Sequence, residues 1–230
     1  MVLPGFGELT IPPRLRLGFA VVVSFIMLPL VASTLPPPPT ALYGFVVLLI
    51  GEILTGIVIG MIARLLLSSL QVAGTIIGFN TGLASAQLFD PNAGQQGAIT
   101  GAFLSTLGIT LLFTTNMHHV MIMALADSYI MFVPGAGLPV GDFSEMASQL
   151  VSRSFLIGFQ IALPVVIVGT IIYVAMGLMA RLMPQIQIFF IALPVQIVTG
   201  FAILAITIGA GMLMFLDAFE AAMGGFVAAR

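Results

Sequence analysis

Six apolar runs, separated by short polar links, govern what this chain can fold into. They occupy residues 17–35, 41–63, 64–89, 98–126, 154–180 and 188–216. A helix needs about 20 apolar residues to cross ~30 Å of hydrocarbon at ~1.5 Å per residue. Each run reaches or approaches that length. Composition removes the alternative of a water-soluble domain: 6% of the residues are charged, against about 25% in soluble domains. The chain reads as an all-α, polytopic membrane protein forming one integral membrane domain over residues 1–230. Residues 41–89 are too long for one straight crossing, so a break or hairpin is expected near Arg64.

The links carry turn chemistry. Pro36, Pro37, Pro38 and Pro39 make a stiff extended connector, because each ring fixes φ and removes an amide donor. Asp90 to Gly97 reads as a polar loop with Pro91, Asn92 and Gly94 as turn residues. Asp127 to Arg153 is the longest link and holds Asp142 and Glu145, with room for a short surface helix. Met183-Pro184-Gln185 makes a tight turn before the last run. Arg14 and Arg16 followed by an apolar stretch ending at Val31-Ala32-Ser33 imitate a cleavable leader. The length of the stretch favours an uncleaved helix. Arg14, Arg16, Arg64 and Arg181 fit the cytoplasmic side of an alternating topology, and Arg153 does not.

One run carries a pattern that generic membrane helices lack. Arg64, Ser68, Gln71, Thr75, Gly78, Gly82 and Ser85 follow steps of four and three and share one helical face. Leu65, Leu66, Leu67, Leu70, Ile76, Ile77 and Phe79 occupy the others. Such a face suits close packing or a wet passage. Gly56-xxx-Gly60, Gly74-xxx-Gly78-xxx-Gly82 and Gly97-xxx-Gly101 repeat the spacing that lets backbones approach. Packing within one subunit is the first reading of these glycines, and packing between subunits the second. Where the striped helix meets the polar loop, Leu88, Phe89 and Pro91 are the best candidates for a deformable seal.

Other polar groups have two readings each. Glu52 lies mid-run, where a bare charge is costly. Arg64 follows twelve residues later, about 18 Å along a helix axis, so the two cannot pair on a straight helix. Glu52 reads first as a neutral or paired structural group and second as a proton or ion site. His118 and His119 point ~100° apart on a helix and lack further His or Cys to complete a metal site, so they read as structural. Pro164 and Pro194 shape their helices. The sequence holds no Cys, which excludes disulfides, thiolate metal sites and Cys nucleophiles. All its basic residues are Arg, and they form no basic face for nucleic acid. No nucleophile–base constellation, phosphate loop or cofactor motif is visible, so the expectation is a non-enzyme without cofactors.

The ordered motifs resemble the FliR family of flagellar export-gate proteins. They begin with Ile11-Pro12-Pro13-Arg14-Leu15-Arg16-Leu17-Gly18. They continue through Gly51-Glu52-Ile53-Leu54-Thr55-Gly56, Gly60-Met61-Ile62-Ala63-Arg64 and Gln71-Val72-Ala73-Gly74. Gly78-Phe79-Asn80-Thr81-Gly82-Leu83, Phe89-Asp90-Pro91, Asn116-Met117-His118-His119 and Arg181-Leu182-Met183-Pro184-Gln185 complete the order. Each motif is weak alone, and their combination over nearly the whole chain is specific.

This resemblance implies long, partly broken helical hairpins within a helical export-gate assembly. It implies one copy joined to FliP and FliQ as a closed conduit for unfolded flagellar proteins, alongside FlhA-type and FlhB-type components. It also implies a bacterial inner-membrane location at the flagellar basal body. By resemblance Leu88, Phe89, Asp90, Pro91 and Asn92 belong to the closing plug, with the residues up to Gly97. Family chains begin with another apolar helix, and here ten residues precede Ile11, so the expectation is a chain lacking that N-terminal helix or one whose start is misassigned. The competing function is a proton- or ion-coupled carrier of a small solute using Glu52 or Asp127. Carriers show internal repeats, and no convincing half-to-half repeat is present. An intramembrane enzyme ranks third.

Overall fold

A computed structural model of the chain describes residues 2–8, 11–37, 39–83, 97–135, 140–183 and 188–227, without the side chains of 97, 98, 140–144 and 188–191. Among the described residues the ordered elements are all helical. They are α1 (Pro13–Val31), α2 (Leu42–Asn80), α3 (Gly97–Thr114), α4 (Met117–Met131), α5 (Val140–Leu182) and α6 (Ile188–Gly224). Four of these are long and apolar enough to cross a membrane, or up to five spans if the bent pair α3–α4 is one. The fold is therefore an all-α, polytopic membrane architecture.

Three expectations about helix boundaries need correction. The break near Arg64 does not exist: α2 runs for 39 residues without interruption, about 58 Å at ~1.5 Å per residue. The alternating topology that used a hairpin there loses its basis. The run 98–126 is instead divided, with α3 and α4 bent by 75°. Asn116 at that corner takes a left-handed φ of 60°, a conformation that Asn tolerates better than most residues. The link from Asp127 to Arg153 is shorter than expected, because α5 already begins at Val140 and extends for 43 residues. Pro29, Pro164 and Pro194 all stay inside helices.

The chain divides into two compact units, Met1–Leu66 with Ile109–Ser152 and Asp217–Arg230, and Leu67–Gly108 with Arg153–Leu216. Ile59, Ile62, Leu66, Leu112, Met121 and Phe219 are buried side chains of the first. Leu70, Ile77, Leu104, Val165, Met212 and Phe215 are buried side chains of the second. In the first unit α1 packs on α4, yet Met27 and Val31 are the α1 residues it buries. Leu17, Val22, Phe25 and Leu30 stay exposed. So large an apolar outer surface requires hydrocarbon or another protein around it.

Candidate functional site

The striped helix is gripped by glycines. In the second unit, Gly74 of α2 lies directly on Gly101 of α3, and a Cβ added at Gly74 would overlap the Gly101 N and Cα. The Thr100 hydroxyl donates to the Gly74 carbonyl at 2.6 Å. From α5, a Cβ at Gly158 would stand 2.6 Å from the Ser69 carbonyl oxygen, and one at Gly169 would stand 2.9 Å from Asn80 Oδ1. From α6, Gly200 packs against Thr81. At Gly74 and Gly158 the missing side chain lets a backbone approach to dispersion range, and at Gly169 and Gly200 it makes room for the Asn80 and Thr81 side chains. Two of the glycine series singled out in the sequence thus meet inside one chain, at Gly74 and Gly101.

The stripe itself divides into different environments. Gln71 and Thr75 are exposed, Ser68 is half-buried, and Gly78 and Gly82 are buried. The Thr75 hydroxyl is satisfied by the Gln71 carbonyl at 2.8 Å. Gly82 serves a different purpose from its neighbours. Its φ of +75° lies in the left-handed region that only glycine enters without strain, and it sits just past the end of α2. Thr81 beside it is buried, its hydroxyl donating to the Ile77 carbonyl at 2.9 Å. Ser85 and the plug residues Leu88, Phe89, Asp90, Pro91 and Asn92 lie outside the described residues.

Arg64, at the other end of the stripe, belongs to the first unit. Its Nε donates to the Val2 carbonyl at 2.6 Å and its guanidinium NH₂ to the Gly7 carbonyl at 3.0 Å. Gly60, one turn earlier on α2, leaves room for Val2: a Cβ there would lie 2.6 Å from Val2 Cβ. The arginine therefore pins the segment before α1 onto α2. The periodicity could not reveal this, because both acceptors are backbone atoms far away in sequence.

Glu52 faces a cleft of about 400 Å³ in the first unit, walled by the N-terminal segment, α1, α2 and α4. Tyr129 of α4 lines the same cleft. Sequence reasoning missed Tyr129, since nothing local marks it. Asp127, on the same helix, is buried. His118 stacks on Phe113 with centroids 5.1 Å apart, and Phe113 meets Phe6, which stacks on Phe19. That aromatic ladder accounts for His118 as a packing residue at the α3–α4 corner. Among the described residues no three His, Asp or Glu side chains are placed to hold a metal ion.

Close glycine contacts and long apolar helices describe a tightly packed helical membrane protein. Comparison with known proteins gives its family. The family described as "Bacterial export proteins, family 1" matches residues 1–222. The chain is 38% identical over 220 residues to the flagellar biosynthetic protein FliR of Caulobacter vibrioides, covering 96% of this chain and 88% of that one. It is 29% identical to FliR of Bacillus subtilis over 211 residues, covering 90% and 80% of the two chains. It is also 29% identical to FliR of Escherichia coli over 205 residues, covering 88% and 77%. The chain belongs to the FliR family of bacterial export proteins and is a component of the flagellar export apparatus.

Proposed function

We propose that the chain is a structural, channel-forming subunit of the flagellar export gate. One copy assembles with FliP and FliQ in the bacterial inner membrane, at the flagellar basal body. The assembly is a closed conduit for unfolded flagellar proteins and works alongside FlhA-type and FlhB-type components. Leu88 to Asn92 close it.

The observation that carries this reading is the exposure of Gln71 and Thr75 on α2. Hydrocarbon has no partner for a carboxamide, so an exposed Gln71 on a membrane-spanning helix is best met by a neighbouring subunit or a wet lumen. The same helix buries Gly60 and Gly74 against its own chain, so the polar patch is the part left for others. Gentle detergent extraction followed by native mass spectrometry is the test. The reading requires a complex containing FliP and FliQ, and a lone monodisperse monomer would contradict it.

The carrier reading draws on Glu52 and Tyr129 lining one cleft. It requires a substrate-dependent proton flux that Glu52→Gln abolishes. Export of unfolded protein without such a flux selects the gate.

A further inference from the structure

The cleft in the first unit has a chemistry that neither packing nor an export conduit uses. Its volume of about 400 Å³ falls within the ~300–1,000 Å³ of ordinary small-molecule sites. Phe19 and Met27 of α1, Gly56 of α2 and Ile122 of α4 give it a hydrocarbon wall. One acid stands in that wall, Glu52, with Tyr129 lining the same cleft.

A carboxylate offers about four acceptor positions, and a tyrosine hydroxyl has a single proton to give. The strong donor nearest along α2, Arg64, is about 18 Å away along the axis and is committed to the Val2 and Gly7 carbonyls. An acid in an apolar surround needs a counter-charge that brings its own donors. The charge and the shape therefore ask for the same guest: a cationic head with three N–H donors on an apolar tail.

We propose that this cleft binds a hydrophobic primary amine. Its ammonium donates to the Glu52 carboxylate, and its tail lies along Phe19, Met27 and Ile122. The guest enters from the surrounding hydrocarbon, where such amines partition. Neither an alcohol nor a fatty acid of the same chain length satisfies the site. The alcohol lacks the charge, and the acid opposes it.

The test uses the intact membrane complex in phosphatidylcholine nanodiscs and a dodecylamine carrying a diazirine on its chain. Dodecanol and dodecanoic acid with the same group are the comparison probes. After illumination, peptide mass spectrometry locates and quantifies the label. The amine is expected to label peptides containing Met27 and Ile122 about tenfold more than the alcohol, and the acid is expected to label them least. Glu52→Gln should bring amine and alcohol to near equality. Gly56→Leu fills the cleft while keeping the acid, since a Cβ at Gly56 meets nothing within 4 Å. It should remove labelling by all three probes, and it keeps the proposal testable if the Glu52 variant does not assemble. Equal labelling by amine and alcohol in the unaltered protein would overturn the proposal. So would label distributed away from the cleft, or a Gly56→Leu protein labelled as before.

Discussion

Gly74 and Gly101 meet backbone to backbone, with no space for even a methyl group between α2 and α3. The Thr100 hydroxyl closes the same contact by donating to the Gly74 carbonyl. The neighbours of an added Cβ are main-chain atoms, which cannot rotate out of the way. Gly74→Ala should therefore destabilise the protein by roughly 1–3 kcal/mol, the usual penalty of overpacking. This outweighs the gain in helix propensity of about 1 kcal/mol that alanine brings. Gly51→Ala is the control, since a Cβ there meets nothing within 4 Å, and it should be neutral or slightly stabilising. Thermal unfolding of both variants in detergent checks the pair. Equal melting temperatures would disprove the close contact.

Arg64 makes a different long-range link. Two charge-assisted hydrogen bonds, to Val2 and Gly7, hold the segment before α1. Bonds to charged groups contribute about 1.5–3 kcal/mol when buried. Arg64 is exposed, so the loss in Arg64→Ala should be near the lower end. The change should be local: amide hydrogen exchange of residues 2–8 should accelerate while α5 and α6 keep their protection. Unaltered exchange in that segment would show that the arginine does not hold it.

These two contacts explain what the sequence disclosed and what it withheld. Apolar runs announced the spans because the thickness of hydrocarbon fixes a length that can be counted. Glycine spacing announced Gly74 and Gly101 because close approach needs a missing Cβ. The continuity of α2 was hidden, since Arg64 looks like an interruption until Val2 and Gly7, distant in sequence, supply its acceptors. The α3–α4 corner was hidden for the opposite reason: the apolar stretches on either side of Thr114-Thr115-Asn116 read as one run, while the backbone turns at Asn116. Gly82 resembled a packing residue by its spacing, and its positive φ shows that it ends the helix. Tyr129 carried no signal at all, because Glu52, which lines the same cleft, lies on a different helix.

The outward polar patch gives a prediction about assembly. Gln71→Leu removes a carboxamide that is exposed in the chain alone, so the fold of the isolated chain should be little affected, within about 0.5 kcal/mol. Recovery of FliP and FliQ with the variant should fall, because the partners lose the group they are proposed to meet. The measurement is co-purification yield beside the melting temperature of the variant itself. Full recovery of both partners would leave Gln71 facing something else, and the proposed role of the stripe would fail.

The proposed plug supplies the most direct functional prediction. A passage for unfolded protein is wide compared with an ion, so whatever closes it must be apolar enough to exclude water and deformable enough to yield. Phe89 joins a large ring to the turn chemistry of Asp90 and Pro91. In the proposed role the ring fills the closed passage, and its removal would leave a void there. A water-filled void at a constriction conducts, since dewetting is what closes such a gate. Phe89→Ala in the assembled complex should therefore raise ion conductance across a planar bilayer in the absence of export, and deletion of residues 88–95 should raise it further. Comparable amounts of complex must be reconstituted, so that a leak reflects the seal and not a change in assembly. Conductance equal to that of the unaltered complex in both variants would remove residues 88–92 from the closing element and move the search for the seal to the partner subunits.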